Sequence, residues 1–266
     1  MKRVALIAVA TAVVLGAAAA SVLLTGTASR STNRHVALTA LLAPIAAGAP
    51  GQPTDPVIAQ ASSALLTAPQ LASQLGSQGV ALSVDGSSIS LADLALHAVG
   101  FAHNNIVTAA FNAQRLGLDE RTAVDQAGGL TLGLQQAAAF EVLSELAFAT
   151  AQAAGDEVDN STAAAFAQNN LTEYEKDYSS PSAFQVKLPP PNPADFTSPS
   201  AVAGYQYTMT VDQEFTRIAG PQTGKASRTP ALAQWMKEQL ATHGLRVAGI
   251  PGVTYSTISS MLPESL

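Results

Sequence analysis

Two short stretches of this chain alternate between apolar and small or polar residues, with the period of two that is typical of a β-strand. The first covers residues 80–84, and Asp85 and Gly86 follow it as a turn signal. The second lies near the C-terminus and includes Leu245 and Val247. An isolated short strand is not stable in water, so each strand needs a partner. We therefore predict that the two strands pair with each other.

Between the strands, apolar residues recur every three or four positions, which is the period of an α-helix. Ser90 predicts the start of a helix over 91–116, and Gly117 predicts its end. The clearest helical pattern covers 132–154 and stops at Gly155. Further helices are predicted to begin near Asp119, at Asp159 or Ser161, near Ser200 and at Thr229. The chain is therefore expected to be mainly α-helical.

The first residues have the form of an export signal. Lys2 and Arg3 supply its positive charge, and residues 4–24 form an uncharged apolar run. Small residues end the segment at Ala28, as at a cleavage site. The run is also long enough to span a bilayer and stay as an anchor. We therefore predict that 1–28 is a signal peptide or a signal anchor. The rest of the protein is expected to work outside the cytoplasm, with a membrane contact only where this segment is retained.

Prolines and small residues divide the remainder of the chain. The residues directly after the signal are rich in Pro, Gly and Ala, a composition typical of a flexible linker. Within them, 57–75 is apolar enough for a short helix that Pro69 would interrupt. The predicted layout is a linker, a helical domain and a C-terminal tail over 29–79, 80–254 and 255–266, with a proline-rich break at 179–200.

Composition and charge exclude several classes of function. The chain has a formal net charge of −6 and no basic stripe that could follow a phosphate backbone, so nucleic acid is not an expected partner. It has no cysteine, which excludes disulfides, thiol nucleophiles and Cys-ligated zinc. Alanine is abundant, and it favours helices because it loses the least side-chain entropy on entering one.

Few residues are arranged for catalysis or for metal binding. His97 and His103 are six positions apart, so they lie on different sides of a helix, and we interpret both as ordinary surface or half-buried histidines. Glu141 and Glu145 share a helix face. Paired carboxylates can do acid–base chemistry when burial drives their pKa values apart, but the polar neighbours here favour a solvated face. We therefore predict no catalytic residue, no metal site and no cofactor.

The order of these elements, together with three loose motifs, resembles the N-terminal chaperone domain of SurA- and PrsA-type extracytoplasmic folding factors. Residues 80–90 read V-A-L-S-V-D-G-S-S-I-S, similar to the family's strand and turn before its first helix. Residues 141–155 read E-V-L-S-E-L-A-F-A-T-A-Q-A-A-G, similar to its later long helix. Trp235 stands in a terminal helix before a strand, as an aromatic residue often does in the family. The likeness covers roughly 80–170 and 229–250.

The resemblance implies a helical domain that holds unfolded or partly folded exported polypeptides and catalyses nothing. Such a chaperone binds many sequences through a concave apolar surface, because apolar burial is not directional. We predict that this cradle is formed by Phe101, Phe111, Phe140, Leu143, Phe148, Trp235 and Met236. For each of these side chains, simple packing in the core is the alternative.

Two other functions stay open. Many members of the family insert a parvulin isomerase domain of about 90–100 residues. Only 50 residues lie between Tyr178 and Thr229, and they are proline-rich. Residues 128–133 superficially resemble a parvulin stretch, but they lie in the wrong place, and we interpret them as a break between helices. The alternatives to the chaperone are a degenerate prolyl isomerase and a cell-envelope adaptor with one specific protein partner.

Overall fold

The computed structural model describes residues 55–179, 190–220, 228–263 and 266. The predicted export signal and residues 29–54 of the predicted linker lie outside the described residues. The same holds for residues 180–189 of the predicted proline-rich break. The described chain is mainly α-helical with one small antiparallel sheet, as the sequence predicts. Within these ranges, no helix is both long and apolar enough to cross a membrane.

Helices make up most of the domain, with two short strands near its start and one near its end. The helices are α1 Pro56–Ser63, α2 Ala68–Ser77, α3 Leu91–Leu116, α4 Glu120–Asp125, α5 Gly129–Ala154, α6 Asn160–Ser179, α7 Ala194–Thr197, α8 Pro199–Ala219 and α9 Thr229–Leu240. The strands are β1 Ala81–Val84, β2 Ser87–Ser88 and β3 Leu245–Ala248. A short 3₁₀ helix follows at Ile258–Met261.

The sheet joins two distant parts of the chain. Strand β1 lies in the middle, antiparallel to β2 on one side and to β3 on the other. Leu82 is paired with Val247, so the predicted pairing of the two strands is confirmed. Asp85 (φ 48°) and Gly86 (φ 80°) form the two-residue turn between β1 and β2. A positive φ at both positions suits a tight hairpin, which is why Asp-Gly is a strong signal for one.

The Asp85 carboxylate fastens this turn to the residues before β3. One of its oxygens, Oδ2, lies 2.5 Å from His243 Nδ1, and the other accepts a hydrogen bond from Gly244 N at 2.6 Å. The hydrogen bond from His243 holds the pKa of Asp85 below its usual value, with a further contribution from Gly244. The turn and the start of β3 are therefore held together by side-chain as well as backbone bonds.

The two longest helices, α3 and α5, have 26 residues each and pack against each other at the centre of the domain. Ser90 caps α3, and Gly117 ends it in the left-handed conformation, as predicted. Gly155 ends α5 in the same way, which is also as predicted. Helix α5 begins at Gly129, three residues before the predicted Leu132.

Part of the predicted linker is folded, so that prediction is wrong for residues 55–79. Asp55 and Thr67 cap α1 and α2, and each helix has a proline in its first turn. Leu71 and Leu75 are only 3% and 2% exposed, because α2 packs on α3 and places them in the main core. A composition typical of a tether does not prevent folding when leucines four residues apart meet a neighbouring helix.

The C-terminal segment also belongs to the folded domain, which extends past its predicted end. Ile258 and Leu262 are 0% and 7% exposed in the main core. Thr229 does not cap α9 as predicted, because Arg228 occupies the N-cap position. The Thr229 hydroxyl instead donates a hydrogen bond to Pro263 O at 2.8 Å, which ties the start of α9 to this segment.

Candidate functional site

The seven side chains predicted to form an apolar cradle fall into three groups. Three are buried in the main core, with exposures of 2%, 0% and 0%: Phe140, Leu143 and Met236. Three are half-buried at the margin of that core: Phe101, Phe148 and Trp235. Phe111 is half-buried and lies outside the core clusters. The seven do not form one surface. The buried three present nothing to a partner, and the half-buried four stay candidates for binding.

A row of aromatic rings leads from the margin into the core. Phe101 of α3 and Phe140 of α5 are edge-on to each other, with 5.8 Å between ring centres. Phe140 is likewise edge-on to Phe215 of α8, at 6.5 Å. This geometry is favoured because the positive edge of one ring meets the negative face of the next. Phe148 contacts a different ring, that of Tyr207, with 4.7 Å between centres.

A histidine and a glutamate lie in the core beside this aromatic row. His97 of α3 and Glu141 of α5 are 4% and 6% exposed. His97 Nδ1 lies 2.5 Å from Glu141 Oε1, and the His97 ring is edge-on to Phe140 at 4.9 Å. A hydrogen bond in such surroundings is strong, because no water competes for the two groups. The pair joins the two central helices.

The prediction that Glu141 lies on a solvated helix face is wrong. Phe140 and Val142 on either side of it are buried as well, because α5 packs on α3, α8, α9 and the sheet. Glu145, one turn further on, is half-buried and accepts a hydrogen bond from the Tyr207 hydroxyl at 3.1 Å. A sequence signal for Glu141 existed, since it interrupts an apolar run in which an unpaired carboxylate would be costly.

The pair retains hydrogen-bonding capacity but lacks the neighbours of a metal centre. His97 Nε2 is buried and has no hydrogen-bond partner among the described residues. Nowhere in the described ranges do three histidine or carboxylate side chains lie close enough together to hold a metal ion. We interpret the pair of His97 and Glu141 as a polar link between α3 and α5.

A second buried histidine ties α1 to α3. His103 Nδ1 lies 2.9 Å from Ser62 Oγ, and the two residues are 5% and 6% exposed. Burial lowers the pKa of His103 to about 4, because the charged imidazolium would lose its hydration. His97 and His103 are thus both buried, and the prediction of surface or half-buried histidines is wrong. The reason is that α5 covers one side of α3 and α1 covers another.

The free energy of unfolding should fall as the pH drops from about 6.5 to about 4, because of His103. In this window the unfolded chain binds a proton at His103 that the folded protein does not take up, so protonation favours unfolding. Complete titration should remove up to about 3 kcal/mol. Urea unfolding at several pH values between 7 and 4 measures the slope.

The variant His103→Asn is the matched control, since an asparagine amide places a polar atom where Nδ1 lies, can still bond to Ser62 and does not titrate. The variant should lose the part of the slope that lies between about pH 6.5 and 4. Side-chain hydrogen bonds are the main cause of the lowered pKa values of Asp85 and Asp119. Protonation of these two carboxylates should therefore destabilise both proteins only at lower pH. An equal slope in the two proteins would show that His103 is not the responsible group.

Comparisons of the chain with protein-family models, with curated proteins and with solved structures found no significant match. The resemblance to the SurA- and PrsA-type chaperone domain rests on the residue motifs and on the order of the elements.

Proposed function

We propose that this protein is an exported chaperone-type domain that binds unfolded or partly folded polypeptides outside the cytoplasm and catalyses no reaction. The observation that carries the proposal is the half-burial of three large side chains at the margin of the main core: Phe101, Phe148 and Trp235. Each packs against the core and leaves part of its surface accessible to a partner. Aromatic side chains with large apolar area are the residues that contribute most at binding surfaces.

The rigid support beneath two of these side chains makes them more effective in binding. Phe101 packs on Phe140, and Phe148 packs on Tyr207, so little side-chain entropy is lost when a client arrives. Apolar burial contributes about 25 cal/mol per Å² whatever the sequence of the partner. Such contacts suit weak binding to many unfolded chains.

The order of elements supports the same proposal. In the family that the sequence resembles, a strand leads into the first long helix, and a terminal helix with an aromatic residue leads into a closing strand. Here β1 leads into α3, and α9 carries Trp235. Strand β3 then follows and pairs with β1.

The purified protein should suppress the aggregation of two unrelated, chemically unfolded proteins when it is present in near-stoichiometric amounts. Light scattering after dilution from denaturant measures this protection. The variants Phe101→Ser, Phe148→Ser and Trp235→Ser should protect less well, because each removes accessible apolar surface. Circular dichroism and thermal unfolding must first show that each variant keeps its helices.

Two exposed leucines provide the matched control. Leu116 and Leu118 are 60% and 61% exposed at the junction of α3 and α4, outside the predicted set. The double variant Leu116→Ser/Leu118→Ser removes apolar surface that does not pack against the main core, so it should protect as well as the original protein. A folded protein that protects neither client would refute the chaperone proposal. Capture of one protein at high yield would then favour the envelope adaptor, and catalytic turnover of a proline peptide would favour the isomerase.

A further inference from the structure

The outer edge of β3 carries backbone groups that have no partner among the described residues. Asp85 N donates to Gly244 O at 2.8 Å, and antiparallel ladders alternate between bonded and non-bonded pairs. In the observed register, Arg246 is therefore the next residue of β3 that bonds to β1. Leu245 and Val247 direct their N–H and C=O groups to the opposite side, away from β1.

The other side of β1 agrees with this alternation. Leu82, which lies opposite Val247, directs its C=O away from β3 and accepts a hydrogen bond from Ile89 N at 2.8 Å. At the free edge of β3, the described part of the chain supplies no hydrogen bond to Leu245 or Val247. Two donors and two acceptors therefore face outward, spaced by about 7 Å along the strand.

We propose that this edge binds an extended polypeptide segment, which adds to the sheet as a fourth strand beside β3. An extended backbone is the partner whose donors and acceptors match this spacing. The inference rests on the proposed chaperone function and assigns one part of the client contact to β3. Backbone hydrogen bonds carry no sequence information, so they suit a site that accepts many clients.

The side chains of β3 set a preference for the added strand. Leu245 and Val247 are half-buried and lie opposite the buried Val84 and Leu82, whereas Arg246 is exposed on the other face. A client residue beside Leu245 or Val247 therefore lies on the apolar face, and the next client residue lies beside Arg246. The substrate class is a segment in which apolar residues alternate with acidic or polar residues.

A fluorescein-labelled ten-residue peptide of alternating valine and glutamate tests this edge with the full chain. Two N-methylated forms, one methylated at every valine and one at every glutamate, each remove the donors along one edge of the peptide. One form should bind at least about tenfold more weakly than the parent in fluorescence anisotropy, and the other within about threefold. Sensitivity at valine indicates an antiparallel client, and sensitivity at glutamate a parallel one.

If both methylated forms bind as tightly as the parent peptide, the peptide backbone is not used. This result would overturn the inference while leaving the aggregation result intact. Loss of binding in both forms, or no binding of the parent peptide, would overturn it as well. Sedimentation could also show a dimer that depends on β3 and that the peptide does not displace. This result would overturn the inference, because the edge would then pair with a second copy of the chain.

Variants of the protein test the same edge from its other side. Val247→Pro removes one outward donor without removing a ladder bond to β1, and should weaken the parent peptide at least about fivefold. Ser88→Pro is the matched control, because Ser88 lies opposite Ser83 in a non-bonded pair and directs its N–H to the far edge of β2. It should bind like the original protein, and equal binding by Val247→Pro would contradict the inference. If Val247→Pro does not fold, the methylated peptides decide with the unaltered protein.

The charge preference is tested with a second peptide in which lysine replaces glutamate. Arg246→Gln should lower the ratio of the affinities for the glutamate and lysine peptides by about threefold, the size expected of an exposed charge pair. Comparing this ratio in the variant with the ratio in the original protein cancels every contribution that the substitution leaves unchanged. An unchanged ratio would show that no client residue lies beside Arg246 and would overturn the proposed register.

Discussion

Replacing His97 with leucine should lower the free energy of unfolding by about 1–3 kcal/mol, the cost of removing one partner from a buried hydrogen bond. Glu141 would stay in the core without the imidazole that lies 2.5 Å from its Oε1 atom. Carboxylates lose much hydration on burial, and Phe140 beside the pair offers no hydrogen bond in its place. Urea unfolding at pH 7, followed by circular dichroism, measures the loss.

A double-mutant cycle separates this pair from its surroundings. Glu141→Met alone should also destabilise strongly, because it leaves a second nitrogen of His97 without a partner in the core. The double variant His97→Leu/Glu141→Met should lose less stability than the sum of the two single losses, since neither member of the pair is then left buried without the other. Losses that simply add would show that the two side chains do not depend on each other.

Replacing Gly133 with alanine should lower the free energy of unfolding by about 2–3 kcal/mol. A β-carbon at this position would overlap the carbonyl oxygen of Ala98 and would lie 2.9 Å from both the amide nitrogen and the β-carbon of Ala102. Two of these three atoms belong to the backbone of α3, so no side-chain rotation relieves the contact. The helices α3 and α5 would have to move apart, which loosens the apolar packing between them. Urea and thermal unfolding measure the effect.

Gly100→Ala is the matched control for this prediction. Gly100 lies inside α3, and nothing lies within 4 Å of a β-carbon built there. Alanine has the higher helix propensity, so this variant should be more stable by about 0.5–1 kcal/mol. The two substitutions should therefore have opposite signs. Destabilisation by both, or by neither, would mean that the close approach at Gly133 does not limit the packing of the helices.

The ends of the long helices and the pairing of the strands could be predicted because each depends on a few neighbouring residues. Ser90 and Gly117 mark the ends of α3 through hydrogen bonds and a left-handed turn made within one helical turn. The alternation over 80–84 and at Leu245 and Val247 marks two strands, and the sheet needed both. These signals are local, so no knowledge of the rest of the fold was required.

The candidate site was less accessible to sequence reasoning. Seven apolar side chains were predicted to form one cradle, but Phe140, Leu143 and Met236 lie in the core. Periodicity identifies the apolar stripe of a helix, but it does not tell how many neighbours cover that helix. Helix α5 is covered on several sides, so residues from more than one face are buried, Glu141 among them.

By itself, the sequence determined the helical class, the ends of the central helices and the tight turn at Asp85 and Gly86, because these follow from local hydrogen bonding and from the period of apolar residues. The tertiary structure decided what depends on residues far apart in the chain. It buried His97 against Glu141, folded residues 55–79 onto α3, and left one edge of β3 open. Burial and pairing are properties of the assembled elements, and no short stretch of sequence contains them.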